Sequence, residues 1–224
     1  AALMAVTAWG NSTPSQTGRT PYPVKLMVGG LRKQIYLPNM LTQRLGYFKE
    51  QNLDVTLIDE LSGVGTEDEV IAGAVDAGSG SYNHTLELQP KGKFMETVVQ
   101  LQIAPGEAEM VRTDLADTVK TAADLKGRTL GVTELGSGTH TLTLALMGKA
   151  GLAAADAHFI GVGAGDTFIA ALHQKKIADG MTTDPTIPPP TKPALPHPPH
   201  DPPPPPPPPP PPAGRAPPTP PPPP

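Results

Sequence analysis

The stretch LPNMLTQRLGYFKEQNLDVTL, residues 37–57, decides the fold class. Met40, Leu41, Leu45 and Phe48 recur near helical spacing. Gly46 falls where a helix ends in the left-handed conformation. Leu53, Val55 and Leu57 then alternate with Asp54 and Thr56, the period of a half-buried strand. Upstream, residues 24–28 (VKLMV) read as another strand, ending in Gly29-Gly30. Strand, glycine loop, helix, strand is a βαβ unit, and it predicts a parallel sheet.

The same alternation of elements continues outward. Residues 62–65 read as a loop, with Thr66 as helix N-cap and the acids Glu67, Asp68 and Glu69 in the first turn, where the helix dipole favours them. A short strand is expected over 76–80. A helix opens at 81–85 and is stopped by Pro90 and Gly92. Residues 94–103 (FMETVVQLQI) predict a strand, Pro105-Gly106 a turn and 107–112 a further strand. A second cycle follows: strand 129–133, loop 136–139, helix 141–150 closed by Gly151, strand 158–162, a helix from Asp166 and a strand from Ile177.

The globular pattern stops near Ile187. Most of the 32 prolines lie beyond Asp184, and Leu195 is the lone large apolar residue after Pro188. Such a segment buries too little surface to offset its ordering entropy, so residues 188–224 are expected to be extended and disordered. The composition fits a shifted reading frame; a genuine proline linker is the alternative. Residues 1–9 (AALMAVTAW) are short and apolar, with Val6-Thr7-Ala8 as a small-residue cleavage pattern, and read as the remnant of a signal peptide or as a frayed tail.

Net charge of −4 and a pI near 5.8 give no reason to expect a nucleic-acid partner. With no cysteine in the chain, disulfides, thiolate metal sites and thiol nucleophiles are excluded. His140 and His158 have no metal-ligand spacing with any partner, so no metal or cofactor is expected. Residues 161–166 (GVGAGD) invite a dinucleotide reading, but the third glycine comes one residue early.

Several of these segments resemble one family. Gln43-x-Leu45-Gly46-Tyr47-Phe48 with Leu53-x-Val55 is similar to the opening of the nitrate/sulfonate/taurine-type solute-binding proteins of ABC importers, whose fold group includes the yeast thiamine-pyrimidine synthases. The steps at 72–78, at Tyr82-x-His84-Thr85, and at Asp124-Leu125-Lys126-Gly127 resemble it too. The resemblance spans residues 24–187. It implies an α/β, two-lobe, periplasmic-binding-protein-like (type II) fold with the second lobe incomplete. The expected division is 1–23 signal remnant or linker, 24–104 first lobe, 105–125 crossing segment, 126–187 partial second lobe and 188–224 tail. It further implies a solute-binding component of an ABC importer, with a small-molecule ligand and a membrane permease as partners. A periplasmic or lipid-anchored extracellular location follows if a signal peptide precedes the chain. Sulfonates, nitrate and pyrimidines occur as ligands in the family.

In open α/β sheets, ligands gather at the carboxyl ends of strands and at helix N-termini. The candidate ligand-binding residues are therefore Arg32 and Tyr36, then Ser81, Tyr82 and Asn83, then Ser137 and Thr139, and finally Thr183 and Asp184. Arg32 offers a planar donor set for an anion. The hydroxyls of Ser137 and Thr139 stand before a helix, where a simple cap is the competing reading. His84 reads as a capping or structural histidine ahead of a ligand contact. An enzyme on the same fold is the alternative function. Pyrimidine synthases with their cysteine-rich iron motif and desulfinases with a cysteine nucleophile are both disfavoured by the absence of cysteine. A regulator's sensing domain would need a helix-turn-helix ahead of Val24, and residues 1–23 are too broken by Pro and Gly to supply one.

Overall fold

The computed structural model describes residues 20–187. The expected signal remnant in residues 1–19 and the expected tail at 188–224 lie outside the described residues.

Two sheets make two lobes. In the first, β1 (Tyr22–Val28) lies between β2 (Leu53–Asp59) and β3 (Ala77–Ser79), and both pairings are parallel. The βαβ reading holds: α1 (Leu37–Arg44) and the short α2 (Tyr47–Glu50) connect β1 to β2. Pro38 sits in the first turn of α1, where its missing N–H costs nothing. Gly46 adopts φ 87°, the left-handed geometry that breaks α1 from α2. Asn39, buried on α1, donates from Nδ2 to Ser79 Oγ at 2.9 Å and ties the helix to β3. Next come α3 (Gly63–Ile71), between β2 and β3, and α4 (Asn83–Leu88), after β3.

The second sheet has the order β4-β7-β5-β6. Its strands are β4 (Glu107–Val111), β5 (Thr129–Val132), β6 (His158–Gly161) and β7 (Asp179–Thr183). Only β4 runs antiparallel. One core forms around Leu125, Leu130 and Met147, the last from α5 (Gly138–Lys149). Another forms around Phe168 and Ala171 of α6 (Asp166–His173) with Ile177. Parallel strands covered on both faces need this helix-on-sheet-on-helix layering.

Three expectations change. First, α3 begins at Gly63, with Ser62 as its N-cap accepting from Gly65 N at 3.3 Å, so Thr66 is inside the helix. Glu67 is then buried in the helix body, where dipole stabilisation does not explain it. Second, residues 94–103 join no strand ladder. Phe94, Val98 and Ile103 are exposed, because an apolar alternation makes a strand only when a partner edge is present. Third, β4, within the expected crossing segment, is an edge strand of the second sheet.

Candidate functional site

The carboxyl ends of β1, β3, β5 and β7 point toward the seam between the lobes, as does the start of antiparallel β4, because Glu107 pairs with Thr183. Several contacts close the seam. Ser62 Oγ donates to Glu134 Oε2. Asn83 Nδ2 donates across it to Thr141 Oγ1 at 3.3 Å. Gln34 N donates to Asp184 O at 2.9 Å.

Between these contacts a narrow cleft of about 30 Å³ remains, lined from the first lobe by Lys33, Tyr36, Ser81 and His84. From the second lobe come Glu107, Thr133, Ser137, Thr139 and Thr183. A wider hollow of about 390 Å³ adjoins it and shares Ile35 and Thr183. Its wall includes Leu37, Pro38 and Leu41, with Asp184 at its edge. The narrow cleft, though smaller, holds the convergent polar groups, whereas the wider hollow is lined mainly by apolar surface.

Thr133, Ser137 and Thr139 form a ring of three hydroxyls, each 2.9 Å from the next. Thr133 N also donates to Thr139 Oγ1 at 3.0 Å. Each hydroxyl has one proton and two acceptor sites, so the ring satisfies itself and can turn one proton outward to an acceptor. It stands at the start of α5, a twelve-residue helix whose N-terminus favours negative charge. Ser137 is also the N-cap of α5, accepting from His140 N at 3.4 Å, so the capping and lining readings coexist.

Lys33 folds back and donates from Nζ to Gly29 O at 2.6 Å and Leu61 O at 3.0 Å. Burial pushes its ammonium down, against the pull of Asp59, Glu107 and Glu60. Glu107 is pushed up by burial, with Lys33 opposing. The Tyr36 phenol rises to about 12, by burial first and by the Glu107 charge second, and stays a neutral donor.

His84 is buried, with Nδ1 2.7 Å from Glu67 Oε2. That contact is short but poorly aligned for a hydrogen bond, and Nε2 has no partner among the described residues.

Of the sequence candidates, the structure brings Tyr36, Ser81, Ser137, Thr139 and Thr183 to the narrow cleft, and Asp184 to the wider hollow. Asn83 bridges the lobes beside it. Arg32 and Tyr82 are exposed and line neither cavity. Lys33, Glu107 and Thr133 are cleft residues that the sequence reading missed. The missed signal for Glu107 is its position just after Pro105-Gly106, at the mouth of a strand. Among the described residues no cluster of metal-ligating side chains occurs.

Two α/β lobes with strand ends facing a shared cleft are a periplasmic-binding-protein-like scaffold of type II architecture. The profile of the NMT1/THI5-like family matches residues 36–184, and the chain belongs to that family. A protein of Bordetella bronchiseptica RB50 of known structure is 38% identical, with a TM-score of 0.67, over 75% of this chain and 52% of that one. The alkanesulfonate-binding protein SsuA from Xanthomonas axonopodis pv. citri, bound to MOPS, is 18% identical with a TM-score of 0.58 over 75% and 56%. The periplasmic nitrate-binding protein NrtA from Synechocystis PCC 6803 is 15% identical with a TM-score of 0.62 over 74% and 47%. These last two likenesses show the fold alone. The chain thus spans about half the length of the solved structures it matches. A comparison with curated proteins gives no match.

Proposed function

We propose that this chain belongs to a solute-binding protein of an ABC importer and captures a small polar molecule between its lobes without turning it over. The observation that carries the reading is the hydroxyl-lined cleft at the facing strand ends, with groups from both lobes. Closure of one lobe on the other is how such a cleft holds its ligand. A membrane permease as partner and a periplasmic setting belong to the same reading, supported by family membership and fold.

Tyr36, Ser81, Ser137, Thr139 and Thr183 are the proposed contacts, joined by Glu107 and the free Nε2 of His84. The Lys33 charge is opposed by Asp59, Glu107 and Glu60, its Nζ is bound to the Gly29 and Leu61 carbonyls, and Arg32 lies outside the cleft. That balance favours a neutral or zwitterionic solute over a compact anion. The proposed lobes are residues 24–104 and 126–187, linked by 105–125, with β4 contributed to the second sheet by the linker.

The test is a thermal-shift screen of the 224-residue chain with sulfonates, nitrate and neutral nitrogen heterocycles, each recovered and assayed afterwards. One class raising the melting temperature and returning unchanged supports the proposal. No shift from any class, or a chemically altered solute, overturns it.

A further inference from the structure

One helical turn deeper along α5 than the hydroxyl ring, two carboxylates meet inside the second lobe. Glu109 is on β4 and Asp179 opens β7. The register pairs Glu109 with Met181 and Val111 with Asp179, so both acids project from the same face as diagonal neighbours. Asp179 has no solvent exposure and Glu109 has 8%. Thr143 Oγ1 lies 3.1 Å from Glu109 Oε2, and its single proton is shared with Thr139 O at 3.0 Å. Glu109 Oε1 and both carboxylate oxygens of Asp179 have no donor among the described residues. Their diagonal placement on one face of adjacent strands, in a buried space, sets the two carboxyls against each other. Two ionised carboxylates are acceptors only, so this contact becomes a bond only when one of them holds a proton.

The surroundings offer little else. Before β5, Arg128 draws Asp179 toward ionisation, but its Nε donates to Asp124 O at 2.6 Å. From α5 the pair meets the hydroxyls of Thr139 and Thr143. His140 on that helix is turned to Gly136 N and Phe159, and Lys149 is exposed. On β4 the next acid on the same face is Glu107, up at the cleft with Lys33 beside it.

We propose that Glu109 and Asp179 hold a single shared proton in the folded protein, making the β4–β7 junction a proton-responsive clasp behind the cleft. With the proton in place, Glu109 O–H donates to Asp179 and the strands are pinned. When the proton leaves, two buried charges face each other and the strands are driven apart. The clasp reaches the cleft because β4 carries Glu107 and β7 carries Thr183, which pair directly. Burial and the Asp179 charge both push Glu109 well up, and burial pushes Asp179 up as well. A carboxyl raised in the folded state binds more protons there than when unfolded. Stability is therefore full below the unfolded carboxyl value and falls as pH rises through the raised folded values.

The test is urea unfolding of the full 224-residue chain between about pH 4.5 and pH 8, with Glu109→Gln and Asp179→Asn as separate variants. The folding constant of the wild type is expected to drop roughly tenfold per pH unit within the window where one proton is lost. Each variant removes one ionisable partner and flattens that drop. The infrared band of a protonated carboxyl is expected at neutral pH in the wild type and missing in Glu109→Gln. It decides the matter if unfolding is not cooperative. A wild type whose stability is flat or rises over this window, variants with the wild-type slope, or no protonated-carboxyl band overturns the proposal. None of these readouts involves a solute, so the capture reading stands or falls separately.

Discussion

Ser81 of the first lobe rests against Gly138 of the second so closely that a Cβ at Gly138 would lie 2.8 Å from both Cβ and Oγ of Ser81. Real Cβ atoms do not approach to that distance, so the seam closes only while position 138 lacks a side chain. Gly138→Ala is compatible with the first turn of α5 and should leave each lobe intact while wedging the seam. Overpacking of this kind costs about 1–3 kcal/mol. The expected outcome is a larger radius of gyration by small-angle scattering and loss of the thermal shift given by any solute that shifts the wild type. An unchanged radius would show that the lobes slide past the added methyl.

Glu67→Ala should leave His84 buried beneath the cleft without its carboxylate. Leaving a buried polar group without its partner costs about 1–3 kcal/mol, against a typical net stability of about 5–15 kcal/mol. Urea unfolding is expected to show a loss in that range. A loss under about 1 kcal/mol, the size of an exposed pair, would mean that the contact contributes little.

Asp124 accepts from Lys120 N at 3.0 Å and from Thr121 N at 2.8 Å, and these bonds, with the Thr121 hydroxyl, hold its carboxyl below the usual range. A depressed carboxyl stabilises the fold above the unfolded value, and the contribution vanishes as pH falls through the folded one. Asp124→Asn should melt earlier than wild type near neutral pH, and the gap should close below about pH 4. A gap that is constant with pH would assign the effect to shape and remove charge from the account.

Residues 94–103 expose Phe94 at 84%, Val98 at 89% and Ile103 at 80%. An unpaired apolar stretch of this kind templates association between copies. Val98→Lys with Ile103→Lys should lower light scattering on warming while changing stability by no more than about 0.5 kcal/mol. A large loss of stability would reveal packing contacts of that stretch.

The first lobe was legible because its signals are local: the alternation at 53–57 and the left-handed glycine at 46 each act within a few residues. The start of α3 was misread because Ser62-Gly63-Val64-Gly65 has loop composition, and its cap identity depends on the helix that follows. The strand expected at 94–103 failed for the opposite reason, since a ladder needs a distant edge that periodicity cannot supply. In the cleft, hydroxyls beside glycine loops announced themselves. Lys33, Glu107 and Thr133 did not, because each becomes a cleft residue only through long-range pairing or by folding back on Gly29 and Leu61.

The strand order of the second sheet sets a sequence of assembly. The three described strands of the first sheet are all available once residue 79 is made, but β7, the last strand among the described residues, lies between β4 and β5. Until it arrives, the inner edges of both neighbours have no ladder partner in the finished register, and Glu107 and Thr133 have no common frame. Synthesis from the N-terminus therefore yields the described first sheet early and holds the second open until β7 is inserted. A pause or stop before residue 183 strands the chain with two bare inner edges at once.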